Sequence, residues 1–297
     1  MIPGIDISKW QQGSKGIDWP TLAKWGLAQD PEFFVVVQAC DGLDPNTVNP
    51  YFFQQVKGAQ AAGIVNVWVY IYLRPSQGTG AAHADHLSEL IGKLGGIWKN
   101  CAVLGDYEDP KVGATADLDA FAVNFDERWY WPARFHTGFY SAPYYMDPHN
   151  LNRDPRLAEM FLWLADPGSG LVVPTTPQPW RSAGKNVMIV QNNWHGQVPG
   201  IEGDVDLDYL TVDIAAMRPY MAGYVPDPLD GQAVNLTPPS VVIPSNSEST
   251  TDANTVALAT LKLVDDLAAQ LTDPGLHTEA ETIGANLREI ITATWGH

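Results

Sequence analysis

Cysteine is nearly absent: Cys40 and Cys101 are the only two in 297 residues. That rules out a disulfide framework, and the spacing fits no zinc motif. Cys40 ends one strand candidate and Cys101 opens another, so in a parallel barrel they lie at opposite ends, roughly 15–20 Å apart. Both are read as reduced packing residues. Long apolar runs are also missing, and none reaches the length of a membrane span. Met1-Ile2-Pro3 leads straight into Gly4-Ile5-Asp6, without the basic and apolar regions of a signal peptide. The expectation is a chain made in a cytoplasm that reaches a wall by another route. Positive charge is scarce: 17 Lys and Arg stand against 34 Asp and Glu, for a net charge of -17. Phosphate binding needs a basic surface, so this balance argues against DNA or RNA as partner. It also disfavours an anionic membrane surface. The histidines show no metal-ligand spacing. His83 and His86 share a helix face without an acid to complete a set, and His136, His149 and His195 are scattered. No phosphate-binding glycine loop or nucleophile elbow occurs. No cofactor and no metal are expected.

What is present is a core. Hydrophobic residues make up 45% of the chain, which excludes global disorder. Short apolar runs alternate with helical patterns. The strand candidates are Ile2–Ile7, Phe33–Cys40, Asn66–Leu73, Ala102–Tyr107, Phe135–Tyr140, Phe161–Ala165, Val187–Gln191 and a short one near Val205. Runs such as Phe33-Phe34-Val35-Val36-Val37 read as strands buried on both faces. Helix candidates lie at Trp19–Gly26, Pro50–Ala62, Gly80–Leu94, Ala116–Trp131 and just after Ser141. Strands alternating with helices predict an α/β fold, an irregular (β/α) TIM-like barrel over residues 1–217 whose later helices are short or missing. Residues 218–252 have the Pro/Ser-rich composition of a linker. Residues 253–297 carry two short amphipathic patterns, with Ala257, Leu261, Val264, Leu267 and Leu271 on one stripe and Ile283, Leu287, Ile290 and Ile291 on the next. Helices that short need a partner for their apolar stripes. They are expected to serve as an attachment or oligomerisation tail.

Three acidic motifs suggest chemistry. The apolar Ala102-Val103-Leu104 runs into Gly105-Asp106-Tyr107-Glu108. Residues two apart point to one side of a strand, so Asp106 and Glu108 face the same way at a strand's C-terminal end, where barrel enzymes place their sites. Two carboxyls in one pocket raise each other's proton affinity, which lets one donate a proton while the other stays ionised. Glycoside cleavage uses that pairing. The first strand ends at Asp6 within Gly4-Ile5-Asp6-Ile7-Ser8-Lys9-Trp10-Gln11. The third motif runs from Pro199 to Asp208 and holds Glu202, Asp204, Asp206 and Asp208, without the spacing of a calcium loop. In a closed barrel the ends of the first, fourth and last strands are neighbours.

Taken together, these motifs resemble the family 25 glycoside hydrolases, the Chalaropsis-type lysozymes. Gly4 to Gln11 is similar to the family's opening motif and Gly105 to Glu108 to its central D-x-E. Thr137-Gly138-Phe139-Tyr140-Ser141 and Leu162-Trp163-Leu164-Ala165 resemble two of its strands. Val190-Gln191 through Val198-Pro199-Gly200-Ile201 to Val205-Asp206-Leu207-Asp208 resembles its closing segment. The resemblance implies a muramidase that cuts the β-1,4 bond from N-acetylmuramic acid to N-acetylglucosamine with retention. It implies Glu108 as general acid. Asp106 would stabilise charge at the anomeric carbon or orient an attacking N-acetyl group. Asp6 and Asp206 would tune the pair and hold substrate, with Asp41, Tyr72, Arg74, Tyr140, Trp163 and Gln191 as substrate-side residues. The chain departs from the family pattern at Gln38-Ala39-Cys40-Asp41-Gly42, at Tyr72-Leu73-Arg74 and at Val190-Gln191-Asn192-Asn193. A cation at Arg74 can pair with an acid and weaken it as a proton donor. Peptidoglycan is therefore the expected partner, with self-association or a phage structural protein engaged through 253–297. A bacteriophage virion or tail protein is favoured over a free endolysin released to the wall at lysis. The rival reading is a non-catalytic glycan-binding or structural module on the same barrel.

Overall fold

In the computed structural model, eight strands close a barrel in sequence order. The structure describes residues 1–111, 117–149, 151–168 and 170–223. The strands are β1 (Ile2–Ile7), β2 (Phe34–Asp41), β3 (Asn66–Tyr72), β4 (Val103–Asp106), β5 (Gly138–Ser141), β6 (Phe161–Ala165), β7 (Val187–Gly196) and β8 (Val205–Leu210). Between them lie α1 (Trp19–Gln29), α2 (Phe52–Ala61), α3 (Gly80–Gly92), α4 (Leu118–Ala133) and α5 (Pro143–His149), and α6 (Ile214–Met217) follows β8. Local sequence sets several helix starts. Asp18, Thr79 and Asp117 each cap a free backbone N–H at the head of α1, α3 and α4. Among the described residues no helix joins β6 to β7.

The period of two along each strand splits the core into two layers. On β3, Val67, Val69 and Ile71 face the surrounding helices while Trp68 and Tyr70 face the barrel interior. On β2, Val35 and Val37 pack outward and Phe34 and Val36 inward. Phe34 and Trp68 stack at 4.6 Å across the interior floor. Gly4 makes room for that layer: a Cβ there would lie 2.3 Å from the Phe34 ring. Apolar side chains thus fill the lower barrel, and the same parity brings Asp6, Asp106 and Gln191 to its upper end.

The sheet is not wholly parallel. β8 runs antiparallel to both β7 and β1. A parallel crossover needs a dozen or more residues, and the Gly196–Val205 connection is too short for one. Asp206 therefore reaches the upper end from the start of its strand rather than its end. The hairpin also extends β7 five residues past the expected Gln191, through two register shifts. At the lower end, Met217, Met221 and Ala222 are buried, and the Ala222 N–H donates to the Cys101 carbonyl at 2.9 Å. The barrel's packing thus runs past the expected boundary at 217. Cys40 and Cys101 are free and buried. Of the linker expected at 218–252, residues 224–252 lie outside the described residues, as does the whole of the tail expected at 253–297.

Candidate active site

The upper end of the barrel holds a cavity of about 280 Å³. Four carboxyls line it: Asp6 from β1, Asp106 from β4, Glu108 just beyond β4, and Asp206 from β8. Sheet register explains their meeting. Asp6 pairs with Asp206 across β1 and β8, and Asp106 lies between Tyr72 on β3 and Tyr140 on β5. The remaining walls are aromatic and amide: Tyr70, Tyr140, Tyr144, Trp163, Gln191 and Trp194.

Glu108 stands past the last residue of its strand, so other contacts fix it. The Tyr107 ring stacks on Phe139 at 4.5 Å. The Tyr107 N–H donates to the Tyr140 carbonyl at 2.9 Å, and its own carbonyl accepts from Ser141 Oγ at 2.8 Å. On the other side, the Tyr145 hydroxyl donates to the Asp109 carbonyl at 2.9 Å. Arg74 Nη1 donates to the buried Asp109 carboxylate at 2.8 Å. Glu108 is held between these two anchors.

The electrostatics favour protons. Burial, then the charge of Asp206, pushes the Glu108 carboxyl up to about 7, against the lowering effect of a hydrogen bond from Tyr144. Burial pushes Asp206 up to about 6, with the charge of Asp204 adding and that of His195 opposing. Asp106 is raised by burial, then by Glu108, Asp6 and Asp41, with Arg74 opposing. Among the described residues its buried Oδ1 has no hydrogen-bond partner. Asp6 is raised by burial and by Asp206, while hydrogen bonds from Gln191 and Asp208 favour its charged form. The site can therefore present a protonated carboxyl beside ionised ones near neutral pH, as acid catalysis requires.

Of the substrate-side residues, Tyr140, Trp163 and Gln191 line the cavity. Asp41, Tyr72 and Arg74 are not among its lining residues and engage one another instead. The Arg74 guanidinium lies 4.2 Å over the Tyr72 ring. It binds Asp41 through two hydrogen bonds of 2.6 and 2.8 Å. The acids it pairs with are thus Asp41 and Asp109, not Glu108. Sequence reasoning named Asp208 in the closing motif without giving it a role, and passed over Tyr70, Tyr144 and Trp194. Tyr70 shares inward parity with Trp68 and was legible from that. Tyr144 and Trp194 reach the cavity from the segments following β5 and the β7 core, and no local pattern marks them.

A cluster of Asp126, His136 and Glu159 lies apart from these residues. Asp126 Oδ1 accepts from the Thr137 N–H and hydroxyl, and Oδ2 is 2.7 Å from His136 Nδ1. Asp126 Oδ1 is thus already engaged by two protein donors.

The model of the family "Glycosyl hydrolases family 25" matches residues 5–201, about two thirds of the chain. The chain belongs to this family. Several solved structures share its fold. A bacterial lysozyme from Streptomyces coelicolor is 23% identical with a TM-score of 0.59, covering 72% of this chain and 94% of its own. A family 25 lysozyme from Aspergillus fumigatus is 20% identical with a TM-score of 0.57, covering 75% and 99%. The catalytic domain of an endolysin from a bacteriophage of Listeria monocytogenes is 21% identical with a TM-score of 0.53, covering 73% and 96%. No curated protein sequence matches the chain. The family 25 chain is a glycoside hydrolase of the lysozyme type.

Proposed function

We propose that this hydrolase cuts peptidoglycan between N-acetylmuramic acid and N-acetylglucosamine, with Glu108 as its proton donor. The observation that carries the assignment is the Glu108 carboxyl, pushed up to about 7 in a cavity shared with Asp106. Glu108 protonates the glycosidic oxygen as the bond to the anomeric carbon breaks, then takes a proton from the incoming water. Asp106 is assigned the N-acetyl group of the muramic acid. Its unpartnered Oδ1 is a buried acceptor, and an acetamido N–H supplies the missing donor. Asp6 and Asp206 hold charge below the reacting centre, and Tyr140, Trp163 and Gln191 contact the sugars. Asp41, Tyr72 and Arg74 brace the rim from behind.

The test is cleavage of purified peptidoglycan, with products read by mass spectrometry for new reducing muramic acid ends. Wild type is expected to cleave, and Glu108→Gln to lose about 10²–10⁴ in rate. A folded wild type inert on several wall types would overturn the assignment.

The same reading includes a bacteriophage protein, made in the host cytoplasm and carried on a virion or tail, or else released to the wall at lysis. The Pro/Ser-rich composition of 218–252 and the amphipathic stripes at 253–297 support an attachment or self-association role. The likeness to a phage endolysin domain is consistent with the origin. Light scattering of the full chain against a chain ending at Gly223 checks the tail. A larger mass for the full chain that vanishes on truncation is the expected result. Identical monomers would remove self-association.

A further inference from the structure

The β1–β8 register sets Asp6 opposite Asp206 and Gly4 opposite Asp208. Asp208 therefore lies one pleat deeper than Asp206, on the inner face of the barrel. It is 4% exposed. Its Oδ1 accepts from Trp163 Nε1 at 3.0 Å. Its Oδ2 is buried, and among the described residues no donor reaches it. The Asp208 side chain also faces another acid: Asp6 lies diagonally across the β1–β8 pair, and the two side chains interact.

An ionised carboxylate is acceptor-only, so two carboxyls can share a hydrogen bond only when one carries a proton. The neighbours decide which one. Gln191 Nε2 donates to Asp6 Oδ2 at 2.7 Å. Gln191 cannot reverse its amide, because its Oε1 already accepts from the Tyr140 hydroxyl at 2.9 Å and Trp194 Nε1 at 2.7 Å. Asp6 thus has a fixed amide donor pointed at it, and a second donor completes its charged form. Among the described residues, the one donor to Asp208 is the indole N–H of Trp163. The groups facing Asp208 are Asp6 and Asp206, Tyr140, the Trp163 indole, and Gln191 behind Asp6. None of them is a cation, so nothing there compensates a second negative charge.

We propose that Asp208 keeps a proton in the working enzyme and directs it at Asp6 in a hydrogen bond, acting as a positioning residue that fixes the charge of the pair on Asp6. This rests on the glycosidase reading of the cavity. The chain Trp163 to Asp208 to Asp6, met by Gln191 from the other side, holds Asp6 at one orientation beside Asp206. Asp208 touches no substrate and works through Asp6.

Two variants of the full-length chain separate the proton from mere packing. Asp208→Asn keeps the acceptor for Trp163 and offers Asp6 an amide N–H without any proton uptake. It is expected to cleave peptidoglycan within about threefold of wild type, whereas Asp208→Ala loses about tenfold or more in kcat with KM little changed. The second readout does not need activity. Wild type must take up a proton at position 208 to fold above the ordinary aspartate range, so its melting temperature falls relative to Asp208→Asn as pH rises from about 4 to about 8. A difference that stays flat with pH overturns the proton, whatever the activities. A rising difference with Asp208→Asn inactive beside an active wild type overturns the positioning role. A rising difference with wild type itself inert on every wall tested overturns the glycosidase reading and the role, and leaves the proton established.

Discussion

Glu108 shows how a short motif becomes a chemical group. The D-x-E spacing carries Glu108 just past the strand that ends at Asp106, the contacts of Tyr107 and Asp109 hold it there, and burial raises its proton affinity. Tyr144 modulates the result: its hydroxyl hydrogen-bonds Glu108 and lowers its proton affinity against the effect of burial. Tyr144→Phe removes that bond. The alkaline limb of kcat/KM, set by loss of the Glu108 proton near pH 7, is expected to move to higher pH. A limb that stays in place or moves down would show that Tyr144 does not act on Glu108. Tyr144 was not legible in advance, because it is 64% exposed on a short helix and belongs to no acidic motif. Arg74 was legible as a cation near the site, but its partners were not. Which acid a cation meets depends on where neighbouring strands end, and β2 and the segment after β4 deliver Asp41 and Asp109 to it.

At the scale of elements, Arg74 joins three of them. It lies just past β3, bonds Asp41 at the end of β2, and bonds Asp109 three residues past β4. Arg74→Met keeps the stem over Tyr72 and deletes the charge. The buried Asp109 then loses a partner, and a cost of about 1–3 kcal/mol is expected in urea unfolding. Activity should fall as well, since Asp109 adjoins Glu108. Full activity with the stability loss would show that the anchor supports the fold and not the acid. The strands were readable because continuous apolar runs and a period of two report burial on both faces. Their ends were less so: β5 begins at Gly138, not Phe135, and β7 continues to Gly196. Strand ends depend on partners, and an antiparallel neighbour extends β7 where sequence period alone stops at Gln191.

For the whole molecule, the clustered acids make stability depend on pH. Asp6, Asp106, Asp208, Glu108 and Asp206 all hold protons more tightly folded than free. The folded state therefore binds more protons than the unfolded chain above the ordinary carboxylate range. Stability from these groups is fully present below that range and is lost as pH rises through about 6 for Asp206 and about 7 for Glu108. A melting temperature that falls from about pH 5 to about pH 8 is expected by calorimetry. An unchanged or rising value would show that burial does not raise the proton affinity of these carboxyls. Such a cost is tolerated where a site needs proton donors near neutral pH.

The sequence by itself determined the barrel class, the order of its strands and the inward parity of Asp6 and Asp106, because burial on two faces and the period of two are local properties of a chain. It also carried the family resemblance, since several motifs in register constrain one another across the barrel domain. Only the tertiary structure decided the reversed direction of β8, the partners of Arg74, the arrival of Tyr144 and Trp194, and the contact between Asp6 and Asp208. Those depend on which residues face one another across a closed sheet. Register is fixed by the packing of all eight strands together, and no window of sequence contains it.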